Sequence, residues 1–136
     1  MGRIYFSLSE LCIEDGDIPL EIADKLIKHH IQPMNIVRKK LGAAIWASQD
    51  SGYRSKRYEL SKKRTGKSQH TFKGKGAVDW TAIDLDSLLK LIIEHTDYTR
   101  ICFYPHKKFI HCDYKSVDGR FYYEDYGEGW EFIKKL

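Results

Sequence analysis

The spacing of apolar residues changes period along this chain, and that change limits the folds open to it. From Leu20 to Leu41 the positions Ile22, Leu26, Ile27, Ile31, Met34, Val37 and Leu41 recur near the 3.6-residue period of a helix. Pro33 divides the run because it has no backbone N–H for the preceding turn, and Gly42 ends it as a residue suited to a left-handed cap. The spacing predicts two helices or one kinked helix. Another helix is predicted through Leu88, Leu89, Leu91, Ile92 and Ile93, capped by Asp84 or Asp86, with one wide apolar face. Beyond Arg100 the pattern changes to short aromatic and β-branched runs. Arg100 to Tyr104, Phe109 to Asp113 and Arg120 to Tyr123, separated by Pro105 and by Asp118-Gly119, read as antiparallel strands joined by hairpins. Ile45 to Ser48 reads as a short buried strand.

These elements define an α+β class, with N-terminal helices packed on a small antiparallel sheet. At 136 residues and 42% hydrophobic content, the chain is expected to form a single domain, 1–136, around one core. No run reaches the roughly 18 apolar residues of a membrane span, and polar residues follow Met1 to Phe6 where a signal peptide would be apolar. The expectation is synthesis in the cytoplasm without an export signal. Cys12, Cys102 and Cys112 are an odd set without paired spacing, which argues against a disulfide framework and for reduced thiols. A net charge of +4, with both signs spread along the chain, says little about partners.

Three residues carry more chemistry than the rest. His70 and Asp79 lie in Ser68-Gln69-His70-Thr71-Phe72-Lys73-Gly74-Lys75-Gly76-Ala77-Val78-Asp79-Trp80, and His111 lies in Phe109-Ile110-His111-Cys112-Asp113. Two imidazoles and one carboxylate from separate segments are a donor set for a catalytic zinc ion that keeps its fourth position for water. Residues two apart on a strand share a face, so His111 and Asp113 should point together and Cys112 away into the core, which makes Cys112 a poor ligand. Asp79, beside Ala77-Val78 and Trp80, is expected to project from a strand edge into a cleft. His29, His30, His95 and His106 read as structural or surface residues, His29 and His30 having no carboxylate at a chelating spacing.

The basic stretch containing Arg54, Lys56, Arg57, Lys62, Lys63, Arg64, Lys67, Lys73 and Lys75 reads either as a solvated surface or as a site for an anionic polymer. No nucleic-acid-binding motif accompanies it, and nucleic acid is not the expected partner. The aromatic and acidic segment from Tyr122 to Trp130 reads as a closing strand and hairpin, the other reading being a carbohydrate or peptide platform.

Taken in order, Ser51-Gly52-Tyr53-Arg54-Ser55, then Ser68-Gln69-His70 with Gly74, Gly76, Ala77 and Asp79, then Phe109-Ile110-His111-Cys112-Asp113, resemble the motifs of the zinc D-Ala-D-Ala carboxypeptidase family. That family includes bacteriophage endolysin peptidases and shares its fold with the hedgehog signalling domain. Phe6 to Leu11 and the stretch from Pro33 to Gly42 also look similar, so the resemblance covers most of the chain.

The resemblance implies a hedgehog/DD-peptidase-like fold, a Zn2+ cofactor and His70, Asp79 and His111 as its ligands. It implies that Arg54 lies near the scissile carbonyl, where a guanidinium can stabilise an oxyanion or hold a substrate carboxylate. Ser68 and Gln69 would shape the pocket wall, and, apart from the resemblance, Tyr53 and Tyr104 are candidates to line the cleft. The implied reaction is hydrolysis, by water activated at zinc, of an amide in the peptide stem of bacterial peptidoglycan, and the implied setting is the cell wall. The expected absence of an export signal suits a phage lysis or virion protein.

Two departures from the family pattern stand out. Phe72 to Gly76 contains an apparent two-residue insertion between His70 and Asp79. Many members also carry Glu or Asp three residues before the last histidine, where this chain has Lys108, and a cationic lysine cannot take the proton from water. Asp113 is the nearest substitute, either as general base or as the acceptor that orients a ligand imidazole. A chain lacking the base would be a zinc-binding wall-binding or virion module without turnover.

Overall fold

The computed structural model describes residues 5–11, 19–48, 70 and 74–136. The apolar run from Leu20 to Leu41 forms one continuous helical rod in three parts: α1 (Leu20–Leu26), a π-helical turn (Ile27–Ile31) and α2 (Gln32–Leu41). Pro33 gives the physical reason for the middle part. It has no N–H to donate to the carbonyl of His29, and its ring would crowd that carbonyl in a regular α-turn. The wider turn relieves this crowding, with the Gln32 N–H reaching back to the Ile27 carbonyl. The His29 carbonyl accepts instead from the Tyr114 hydroxyl at 2.6 Å. Gly42 then ends the rod in the left-handed region, φ +70°, its N–H bonded to the Arg38 carbonyl.

The remaining elements are β1 (Ile45–Ala47), β2 (Ala77–Ala82), α3 (Leu85–His95), β3 (Arg100–Tyr104), β4 (Phe109–Asp113), β5 (Phe121–Asp125) and β6 (Trp130–Lys135). Asp84 caps α3, accepting from the Ser87 N–H at 3.0 Å and the Ser87 hydroxyl at 2.7 Å. Leu88 and Ile92 are the fully buried positions of its apolar face.

Among the described residues the strands make one six-stranded sheet in the order β1-β2-β4-β3-β5-β6. The expectation of an antiparallel sheet is corrected here, because β5 runs parallel to β3. The cause is edge availability. Strand β4 is already flanked by β2 and β3, so the chain leaving it docks on the free edge of β3, and its reversal gives it β3's direction. The expected closing hairpin is present as β5–β6. Strand β1 is an edge, with Ile45 buried but Trp46 48% exposed, so this strand is less buried than its composition suggested.

Alternation divides the sheet into two faces. Val78, Trp80, Ile101, Ile110 and Cys112 point to one side and pack with Leu26, Met34, Val37, Leu88 and Ile92 in the core. Asp79, His111, Asp113 and Arg100 occupy the other. No described helix is long and apolar enough to cross a membrane.

Candidate metal centre

The register of β2 against β4 sets Asp79 directly opposite His111. Cross-strand partners on one face are the nearest side-chain neighbours a sheet offers, and His111 Nδ1 lies 2.8 Å from Asp79 Oδ1. Buried His70 completes the group, its Nε2 3.5 Å from the same oxygen and its ring edge-on to His111 at 5.2 Å. One donor atom from each of the three residues falls within 4.8 Å of the other two. Asp79 sits on an interior strand, paired on both sides by β1 and β4, rather than at the strand edge anticipated from its neighbours.

The donor set suits zinc. Two imidazole nitrogens and a carboxylate oxygen are the three-ligand complement of a catalytic site with one open position. Bonds of 2.0–2.1 Å at tetrahedral angles place ligand atoms about 3.3 Å apart, and the 2.8 and 3.5 Å separations here bracket that spacing. Cys112 points away and is fully buried in the core, with burial pushing its thiol well above the ordinary range. Burial likewise pushes the Cys102 thiol up to about 12, and both cysteines are free thiols.

The far side of His111 is held by Asp113. His111 Nε2 donates to Asp113 Oδ2 at 2.7 Å, leaving Nδ1 on the side of Asp79 and His70. Asp113 also accepts from Arg100 Nε at 2.8 and 3.1 Å, from Arg100 Nη2 at 2.5 Å and from the Lys115 N–H at 3.0 Å. Burial alone would raise its pKa, but the bonds from His111 and Arg100 hold it well below the usual carboxylate range. Asp79 is likewise held low, because the neighbouring His70 and His111 outweigh its desolvation. For His111, burial would favour the neutral ring, yet Asp113 and Asp79 push its pKa up to about 9.

Behind the site a buried chain of polar groups ties the helices to the segment entering β2. The Trp80 indole N–H donates to the Tyr98 hydroxyl at 3.2 Å, and that hydroxyl meets His30 Nδ1 at 2.7 Å. His30 Nε2–H donates to the Lys75 carbonyl at 2.9 Å. His30 is fully buried, so its structural reading fits the architecture. Lys108 lies in the β3–β4 turn with φ +58°, its carbonyl accepting from the Thr81 hydroxyl at 2.7 Å.

Of the residues singled out in the sequence, His70, Asp79, His111 and Asp113 come together. Tyr53, Arg54, Ser68 and Gln69 lie outside the described residues, as do Cys12, most of the basic stretch and positions 72 and 73 of the apparent insertion. Sequence reasoning passed over Arg100 and Trp130. Arg100 opposes Asp113 across β3–β4, and Trp130 brings its ring to His111 at 5.3 Å. Strand parity could have placed Arg100 on the face of His111 only once the β3–β4 register was known.

The family model described as peptidase M15 matches residues 4–113. The chain belongs to this family, that of the zinc D-Ala-D-Ala carboxypeptidases. Comparison with curated proteins and with solved structures gave no match. Membership supports a metallopeptidase, in agreement with the His70, Asp79 and His111 group.

Proposed function

We propose that this protein is a zinc peptidase that hydrolyses amide bonds in the peptide stems or cross-links of bacterial peptidoglycan, as a D-Ala-D-Ala carboxypeptidase or an endopeptidase. The observation that carries this reading is the convergence of His70, Asp79 and His111 in a chain matched to peptidase M15. His70, Asp79 and His111 would hold the ion, and a bound zinc supplies Lewis acidity to a carbonyl and a lowered pKa to water. Arg54 would stabilise the developing oxyanion or bind a substrate carboxylate, with Tyr53, Ser68 and Gln69 forming the pocket around it.

Asp113 serves as the orienting acceptor of His111 on this reading, and its surroundings support that role over general base. A base works best with a pKa near the working pH and a lone pair free for the incoming proton. Both oxygens of Asp113 are engaged by His111, Arg100 and Lys115, and the group is held far more acidic than an ordinary carboxylate. Lys108 stands at the position where the family pattern carries an acid. This pair of observations favours a second reading, a zinc-binding module that engages the wall without cutting it.

Mass spectrometry of purified peptidoglycan incubated with zinc-loaded protein separates the two. The peptidase reading predicts a new amine terminus in the zinc-loaded sample, missing with chelator and in His70→Ala. Wall binding by the zinc-loaded protein, with no new terminus across several wall chemotypes, would select the second reading.

A further inference from the structure

Four side chains close a ring on the side of His111 away from Asp79. His111 Nε2 bonds Asp113 at 2.7 Å, and Asp113 takes Arg100 through both carboxylate oxygens. The Arg100 guanidinium carbon lies 4.6 Å from the centre of the Trp130 ring. Trp130 closes the circuit by meeting the His111 imidazole in an edge-to-face arrangement, ring centres 5.3 Å apart and planes inclined at 60°. Trp130 is itself fixed, because its indole N–H donates to the Tyr104 hydroxyl on β3 and its ring packs on Tyr123 of β5 at 5.1 Å. Three ring members, Arg100, His111 and Asp113, fall within the family match at residues 4–113, whereas Trp130 comes from β6 beyond it.

We propose that Trp130 is a positioning residue for the metal centre, and that the β5–β6 hairpin acts as a brace for the ligating imidazole. The proposal rests on His70, Asp79 and His111 holding a metal. Contacts at Nε2 and Nδ1 hold the imidazole at both nitrogens but leave it free to turn about the line that joins them. An indole packed against the ring at a steep angle opposes that turn and keeps the plane of the ring, and with it the Nδ1 lone pair, aimed at the site. The same indole covers the Arg100 guanidinium, whose side chain is 22% exposed while that of Asp113 is fully buried. Shielding an ion pair from water strengthens it, and stacking on an aromatic face suits the planar guanidinium. Trp130 thereby steadies the Asp113 carboxylate as well as the imidazole.

Zinc affinity measured by competition with a chromophoric chelator tests this directly. Partners that orient a ligating histidine typically contribute 10- to 100-fold in metal affinity, and Trp130→Ala is expected to weaken zinc binding by at least about tenfold. Trp130→Leu keeps apolar volume without a π face and should lose a similar factor. Arg100→Gln opens the same circuit elsewhere, so the double variant with Trp130→Ala should lose little more than the larger single loss. Phe132→Ala is the control on the same hairpin. Phe132 is 57% exposed and packs on Phe121 and Tyr123, and its loss should leave affinity within about twofold. Nitrogen NMR of the zinc-loaded protein supplies a second readout: His111 should carry its proton on Nε2 in the wild type, with that resonance broadened or shifted in Trp130→Ala.

Affinity within twofold of wild type in both Trp130 variants would overturn the proposal, as would an equal loss in Phe132→Ala. Wild-type protein that binds no zinc would instead overturn the metal reading itself, and the brace with it.

Discussion

His30 concentrates the acid sensitivity of the packing behind the candidate metal centre. Its ring is fully buried between Tyr98 and the Lys75 carbonyl, and burial lowers its pKa from 6.5 to about 3. Because the folded value is the lower, the unfolded chain takes up the proton more readily. The stability contributed by the neutral ring is full above about pH 6.5 and declines as pH falls towards 3, by up to about 1.4 kcal/mol per pH unit. Chemical denaturation between pH 6.5 and 4 should show this slope in wild type and a flatter one in His30→Gln. Equal slopes would assign the loss to other groups.

Asp113→Asn makes a second expectation at the residue scale. An amide offers one acceptor oxygen and turns an N–H2 group towards Arg100 or His111, both of which donate to the native carboxylate. Zinc affinity should fall roughly 10- to 100-fold, and a dye-competition titration giving wild-type affinity would exclude the orienting role.

The rod from Leu20 to Leu41 shows how one residue sets the form of an element. The sequence predicted either two helices or a kink at Pro33, and the structure meets the same constraint with a π turn in an unbroken rod. Helical periodicity could not distinguish these outcomes, because the partner that satisfies the released His29 carbonyl, Tyr114, lies 85 residues away. Tyr114→Phe should therefore cost about 1 kcal/mol in denaturant unfolding. Adding Pro33→Ala should recover part of that loss by restoring an N–H for the same carbonyl. A double variant no more stable than Tyr114→Phe would refute this account of the turn. At the end of the rod, Gly42 has φ +70° with no atom within 4 Å of an added Cβ, so Gly42→Ala meets backbone strain alone. The expected cost is again about 1 kcal/mol.

At the scale of the whole molecule, the sheet turns dispersed residues into one site. Period and parity made much of this legible: the strands beyond Arg100, the inward turn of Cys112 and the shared face of His111 and Asp113 follow from alternation alone. The parallel placement of β5 was not legible, because a two-residue period specifies faces and leaves partner and direction open. The brace from Trp130 was hidden for a related reason, since only the order β4-β3-β5-β6 brings β6 within reach of His111.

A ligand that binds only the folded chain stabilises it by mass action, by about 2.7 kcal/mol at a concentration 100 times its Kd. The melting temperature of the wild type should rise with zinc concentration, while His70→Ala should show no such rise. The most direct measurement of the central claim is zinc K-edge X-ray absorption on the purified, zinc-loaded protein. The account predicts one ion per chain, with imidazole scattering from two histidines and nitrogen or oxygen neighbours at about 2.0–2.1 Å. A sulfur neighbour at about 2.3 Å, or fewer than two imidazoles, would contradict the assignment of His70, Asp79 and His111.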